Sequence, residues 1–414
     1  MKQFNFFLTL LITAFLATSC EQEKLSPDAE SIKDTNELSA DLESYLISNE
    51  LQLDENALLA SLGMGQDGKT SESSDQSSVY TLGNMTEGNE VIAFNMNSDG
   101  TISPAGSYST GGLGTGGGLG NQGALALSKS GRLLFVVNPG SDEISFFYVH
   151  KDGSLQLMDK IDSGGERPLS ITYRHGLIYV LNAGGEGNIS GFGFNFEGEL
   201  IHVSGSTKAL STSASGPAQI SFSSNGRALV VTEKATNTIS SYSILKNGQP
   251  GDIHTLASAG ETPFGFAFGS NNLFFVSEAF GGADAASTVS SYRIDNDANV
   301  TFVDGPFSTG ETAACWLVIS VNNRELFVTN TGSNNVSSLY VSGAGQLDFS
   351  NNGNTTPAES APIDAALDHN SKFLYVLVAG TDAIISYRVG LNGALTQIDF
   401  DGDLPDGATG LVVN

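Results

Sequence analysis

Six times the chain writes a short apolar run that stops on Asn, Glu or Val. FVVN ends at Asn138, YVLN at Asn182, VVTE at Glu233, FVSE at Glu278, FVTN at Asn330 and YVLV at Val378. Residues 216–248 show the unit around such a run. A period-two stretch over 219–222 leads into Asn225-Gly226, a pair suited to the positive φ of a tight hairpin. The buried-looking run 228–232 follows, and after a polar loop 238–245 alternates again to Asn247-Gly248. A fourth strand over 252–257 completes the unit.

The residue opening each unit recurs at Gln122, Pro168, Pro217, Pro263, Ala313, Pro362 and Ala408, every 46 to 50 residues or so, a period typical of propellers and solenoids. Four antiparallel strands per repeat make a propeller blade. The chain is therefore expected to be all-β: a seven-bladed β-propeller over residues 79–414. The first blade, beginning at Val79, lacks an inner strand, and residues 409–413 are expected to supply it and close the ring.

Of 414 residues only 18 are Lys or Arg, against 45 Asp or Glu, for a net charge of −27. Such a surface gains nothing from counterion release on nucleic acid and is repelled by anionic lipid, so both classes of partner are excluded. Residues 1–19 read as a lipoprotein signal peptide: Lys2, an apolar run over 6–16 too short to span a bilayer comfortably, then Ala17-Thr18-Ser19 before Cys20. The segment resembles a bacterial lipobox, which implies acylation of Cys20 and attachment to the cell envelope, most simply the outer membrane. Cys315 is then the single remaining cysteine, and no internal disulfide is available. Residues 20–78 are acidic and polar, a tether with two candidate short helices, one around Leu38, Leu42, Tyr45 and Leu46 and one over 54–62. Gly112, Gly114 and Gly117 match a dinucleotide-binding pattern, but a strand and not a helix follows, so residues 108–122 read as a flexible inter-blade loop.

In a propeller the inner strand leaves, and the second strand returns to, the same mouth of the central channel. Ala124, Ser170, Gln219, Gly265, Cys315, Asp364 and Gly410 are expected to ring that mouth, with Asn138, Asn182, Glu233, Glu278 and Asn330 beside them. Glu233 and Glu278, with Gln219, are the catalytic candidates. Asn138, Arg167, Asn182, Asn330, Asp364 and Cys315 are candidate ligand contacts. Glu233, Glu278 and Asp364 form a hard-oxygen set suited to Ca2+ or another divalent cation. His175 and His369 fall in turns on the other face, and His150, His202 and His254 in outer strands or strand ends, so no Ser-His-Asp or Cys-His arrangement serves the mouth. Cys315 and Trp316 read as packed residues.

Gly216-Pro217, the Asn225-Gly226-Arg227 turn and the VVTE ending at Glu233 resemble the lactonase-type seven-bladed propellers, among them 6-phosphogluconolactonase-like and carboxymuconate-cyclase-like proteins, with a repeat grammar similar to YVTN-type propellers. The resemblance covers residues 79–414. It implies a lactone hydrolase that binds a lactone or carbohydrate-derived ligand at the mouth. The family's Gly-Pro-Arg-His stretch is matched here at Gly216, Pro217 and the following Glu233, while Ala218 and Gln219 replace the Arg and His. Weak or absent hydrolysis is therefore expected. The alternative is a monomeric, non-catalytic ligand-binding or protein-interaction propeller at the envelope.

Overall fold

The computed structural model describes residues 55–64, 76–195 and 197–414. Cys20, the signal segment and the candidate helix around Leu42 lie outside them. Seven antiparallel sheets follow one another, each a blade. In blade 4 the strands run Pro217–Phe222, Ala228–Glu233, Thr238–Ile244 and Pro250–Ala257, from the axis outward. The second strands are sandwiched between neighbouring blades and buried along their whole length in Leu133–Asn138, Leu177–Asn182, Ala228–Glu233, Leu273–Glu278 and Phe373–Val378. A strand covered on both faces needs apolar side chains on both, which is why these runs are continuous and not alternating. The rim strands, such as Leu155–Asp162, are largely open to solvent and correspondingly polar.

Blade 1 joins the two ends of the chain. Thr409–Val413 pairs with Ser78–Leu82 and forms its innermost strand. The Asn414 side chain accepts the Ser78 N–H at 2.6 Å, and Thr81 donates to the Gly410 carbonyl at 2.7 Å.

Adjacent blades are stitched by one recurring hydrogen bond to a turn carbonyl of the next blade. In blades 1, 3 and 7 a second-strand tyrosine makes it: Tyr80 to Gly153 at 2.8 Å, Tyr179 to Gly248 at 2.6 Å and Tyr375 to Gly100 at 3.0 Å. In blades 4, 5 and 6 a third-strand serine does so: Ser241 to Ala298, Ser291 to Gly345 and Ser338 to Gly393. The two devices are cross-strand partners. Tyr179 lies opposite Gly191, where a Cβ would come within 2.8 Å of the tyrosine ring, whereas Ser241 lies opposite Val230. One site thus holds either a long hydroxyl reaching past a small neighbour or a short hydroxyl beside an apolar one.

The second candidate helix forms, over Glu55–Ser61, and it is docked. Leu58 is fully buried and Leu59 nearly so, in the core shared by blades 1 to 3, while Glu55 accepts from Ser128 and Ser130 in a hairpin turn of blade 2. This part of the acidic segment belongs to the propeller.

Most inner strands carry a β-bulge near their start, two residues facing one on the second strand. The register of blades 6 and 1 corrects the expected ring. Ala314, not Ala313, faces Asn330, and Thr409, not Ala408, faces Leu82. Cys315 is therefore the extra residue of its bulge, and Trp316 holds the position taken by Ser170, Gln219 and Asp364 in other blades.

Candidate functional site at the channel mouth

The polar side chains ending the second strands do not converge on the channel. Asn138, Asn182, Glu233, Glu278 and Asn330 are all 0% exposed. Most of them grip the connection that enters their blade from the one before. Glu278 accepts from the Gly260 N–H at 2.9 Å and from the hydroxyls of Ser258 (3.1 Å), Ser290 (2.9 Å), Tyr292 (3.3 Å) and Thr288. Glu233 accepts from the Ser211 N–H and hydroxyl, from Ser240 at 2.6 Å and from Thr236 at 3.2 Å. Where the connection presents a carbonyl, the residue is an amide: Asn182 donates to the Ser163 carbonyl at 3.1 Å. Asn138 accepts from Thr110 at 2.6 Å and donates to Ser145 at 2.7 Å, while Asn330 donates to Asn335 and Ser337. Carboxylates meet donors and amides meet mixed partners, as their inventories require.

The other candidates are scattered. Gln219 grips the inner strand of blade 5, donating to the Phe266 carbonyl at 3.0 Å and accepting its N–H at 2.6 Å. Asp364 is buried on the inner strand of blade 7, and burial holds its carboxyl well above the usual range although the Ala365 and Leu411 N–H groups oppose this. Arg167 is exposed, with its backbone N–H on Asp142 at 2.6 Å. Cys315 is 8% exposed, and burial pushes its thiol up to about 11 against the pull of Thr331 and Lys234. Among the described residues no group of three or more His, Cys, Asp or Glu could hold a metal ion, so Glu233, Glu278 and Asp364 are not brought together as a cation site.

What occupies the mouth is the Gly-rich connection. It is pinned, and not the free loop expected. Gly114 and Gly116 donate to the Met85 and Asn84 carbonyls at 2.8 and 2.7 Å, and Asn84 donates to the Gly117 carbonyl at 2.7 Å. A Cβ on Gly112 would lie 2.4 Å from the Asn138 side chain, and one on Gly114 2.1 Å from the Asn84 backbone, so packing explains two glycines of the apparent nucleotide motif. Asn121 and Gln122 then reach inner strands on opposite sides of the ring. Asn121 donates to the Leu169 carbonyl of blade 3 and accepts from Trp316 of blade 6. Gln122 donates from its backbone to Ala218 of blade 4 at 3.1 Å and from its side chain to the Leu317 carbonyl of blade 6 at 3.0 Å. Bonds to blades 3, 4 and 6 from two adjacent residues put them on the axis. The channel is plugged at this level.

Beside the plug sits the residue that sequence reasoning missed, Lys234. Its ammonium donates to the Gly120 carbonyl and lies 4.6 Å from the Phe264 ring centre. Phe264 packs on Trp316 with centroids 4.8 Å apart, within an apolar cluster containing Ala218, Ala279 and Cys315. Burial lowers the Lys234 pKa to about 8, the Arg167 charge adds to this, and Cys315 opposes it. A signal was present: Lys234 is the one cation directly after a second-strand end, where Pro139, Ala183, Ala279, Thr331 and Ala379 stand in other blades.

The ring of seven four-stranded blades, closed by its last strand and plugged at one mouth, defines a seven-bladed propeller with one polar, cation-bearing mouth. Residues 72–203, about a third of the chain, match the family described as lactonase, 7-bladed beta-propeller. No curated protein matches the chain. Among solved structures it is similar to a candidate 6-phosphogluconolactonase from Bacteroides fragilis, at 18% identity and TM-score 0.65 over 83% of this chain and 100% of that one. It is also similar to the periplasmic gluconolactonase PpgL of Pseudomonas aeruginosa (16%, TM-score 0.63, 80% and 98%). A third, a functionally unknown protein from Desulfotomaculum acetoxidans, gives 13% and 0.63 over 82% and 98%. At such identities these likenesses show the fold.

Proposed function

We propose that the chain is a monomeric envelope lipoprotein, anchored through Cys20 at the outer membrane, whose lactonase-like propeller binds a lactone or carbohydrate-derived small molecule at the mouth without hydrolysing it. The observation that carries the reading is the contrast between two kinds of charge. Glu233 and Glu278 have their oxygens taken by four and five protein donors and are sealed from solvent, so neither can reach a water as general base. Lys234 is half-buried at the mouth over an aromatic floor, and its one hydrogen-bond acceptor among the described residues is the Gly120 backbone carbonyl, whose place a ligand oxygen can take.

A charge-assisted hydrogen bond of this kind contributes about 1.5–3 kcal/mol, or roughly 10–100-fold in affinity. Lys234→Met is therefore expected to weaken binding of gluconolactone or 6-phosphogluconolactone in calorimetry by that factor. Wild-type affinity is expected to fall as pH rises through about 8, where the ammonium loses its proton. Lactone turnover well above the spontaneous rate, lost in Glu233→Gln, would overturn the reading. Independently, Cys20→Ala is expected to move the protein out of the membrane fraction, and unchanged fractionation refutes the anchor.

A further inference from the structure

The opposite face carries a second concavity, between blades 5 and 6. It encloses about 210 Å³ beneath the hairpin turns of the two blades. The groove is smaller than the roughly 300–1,000 Å³ typical of pockets for drug-sized ligands, which suits a ligand of monosaccharide size. Its wall is polar and its floor apolar. Ser270, Asn271, Asn322 and Arg324 line the rim above Leu273 and Phe275.

Apart from Asn323, which accepts from the Ser270 N–H and donates to the Val321 carbonyl, much of the rim's side-chain hydrogen-bonding capacity is unused among the described residues. The Ser270 and Asn271 side chains have no hydrogen-bond partner among the described residues, and the Asn322 amide uses only its oxygen, accepting from Ser320 and the Arg324 N–H. Arg324 donates one N–H to the Tyr340 hydroxyl at 2.7 Å and forms no ion pair among the described residues. No carboxylate lines the space, in a chain of net charge −27. Arg293, donating to the Asn271 carbonyl at 2.8 Å, adds a second cation at the rim. Free amides and hydroxyls suit a polyol, the apolar floor suits the C–H face of a sugar, and an unpaired guanidinium suits a carboxylate.

The geometry points to this groove as a binding site for a monosaccharide-sized sugar acid, its carboxylate on Arg324 and its hydroxyls on Asn271 and Asn322. The site is separate from the Lys234 mouth. Calorimetry on the full chain with D-glucuronate, D-glucose and acetate tests it. Glucuronate is expected to bind, glucose at least 10-fold more weakly, and acetate not at all. Arg324→Met is expected to weaken glucuronate at least 10-fold, while Lys234→Met leaves it unchanged. Asn271→Gly, which removes the amide but keeps the left-handed backbone at φ 55°, is expected to weaken glucuronate and glucose alike. No glucuronate binding at millimolar concentration, or binding that survives both groove substitutions or is lost in Lys234→Met, overturns the assignment. Unaltered melting of the Arg324→Met and Asn271→Gly proteins separates lost binding from lost fold.

Discussion

A chain ending at Ala408 is expected to have no cooperative melting transition and to aggregate on expression. Removing residues 409–414 deletes the inner strand of blade 1, and with it the ladder from Val79–Val413 to Leu82–Thr409 and both bonds of Asn414 to Ser78. Leu411 sits in the core between blades 7 and 1 with Tyr375 and Leu377, and Val413 packs against it, so the truncation also opens that core. The exposed edge of Ser78–Leu82 is apolar, and an unpaired apolar edge is a template for another chain. Circular dichroism with light scattering checks the outcome. A soluble truncated protein melting cooperatively near the wild-type temperature would show that the ring does not depend on this strand.

Glu278→Ala is expected to lower unfolding free energy by about 3–5 kcal/mol, since each buried donor left without an acceptor costs about 1–3 kcal/mol and some hydroxyls can turn to other partners. The reason is the number of groups left behind. Ser258, Gly260, Thr288, Ser290 and Tyr292 all donate to this carboxylate and lose their shared acceptor together. Glu278→Gln is expected to cost less but still to destabilise, because its NH2 faces donors in place of an acceptor. Denaturant titration distinguishes the structural role from a catalytic one. A catalytic base could be changed to Gln with little effect on stability, and an unperturbed midpoint in both variants would sink the structural role.

The architecture was legible because propeller rules are local and repeated. Period-two strands, Asn-Gly turns and runs buried on both faces each leave a mark on the residues, and the missing first strand could be matched to the spare last one. The helix at 55–61 was visible in the same way. The mouth was not legible, for physical reasons that differ by residue. Glu233 and Glu278 stand at the right end of the right strand, but their direction depends on whether the entering connection offers donors, which spacing does not encode. Cys315 reads as a ring residue from the repeat spacing, but the connection entering blade 6 is one residue longer than that spacing implies, so Ala314 opens the strand and the position belongs to Trp316. Gly112 and Gly114 signal that a backbone comes close to something. They do not say that the something is Asn138 and Asn84.

The closure of blade 1 also sets an order of events. Ser78–Leu82 precedes the other six blades and its partner Thr409–Val413 follows them, so the first blade to emerge from a ribosome is the last to be finished. At the synthesis rates usual for cells, about 5–20 residues per second, the roughly 330 residues between them keep that edge waiting for tens of seconds. Blades 2 to 7 need no such wait, since each carries its own four strands in sequence. The propeller is therefore a clasp that can be fastened only once the strap has been drawn through, and until then the inner edge of blade 1 stays open to pairing with another chain.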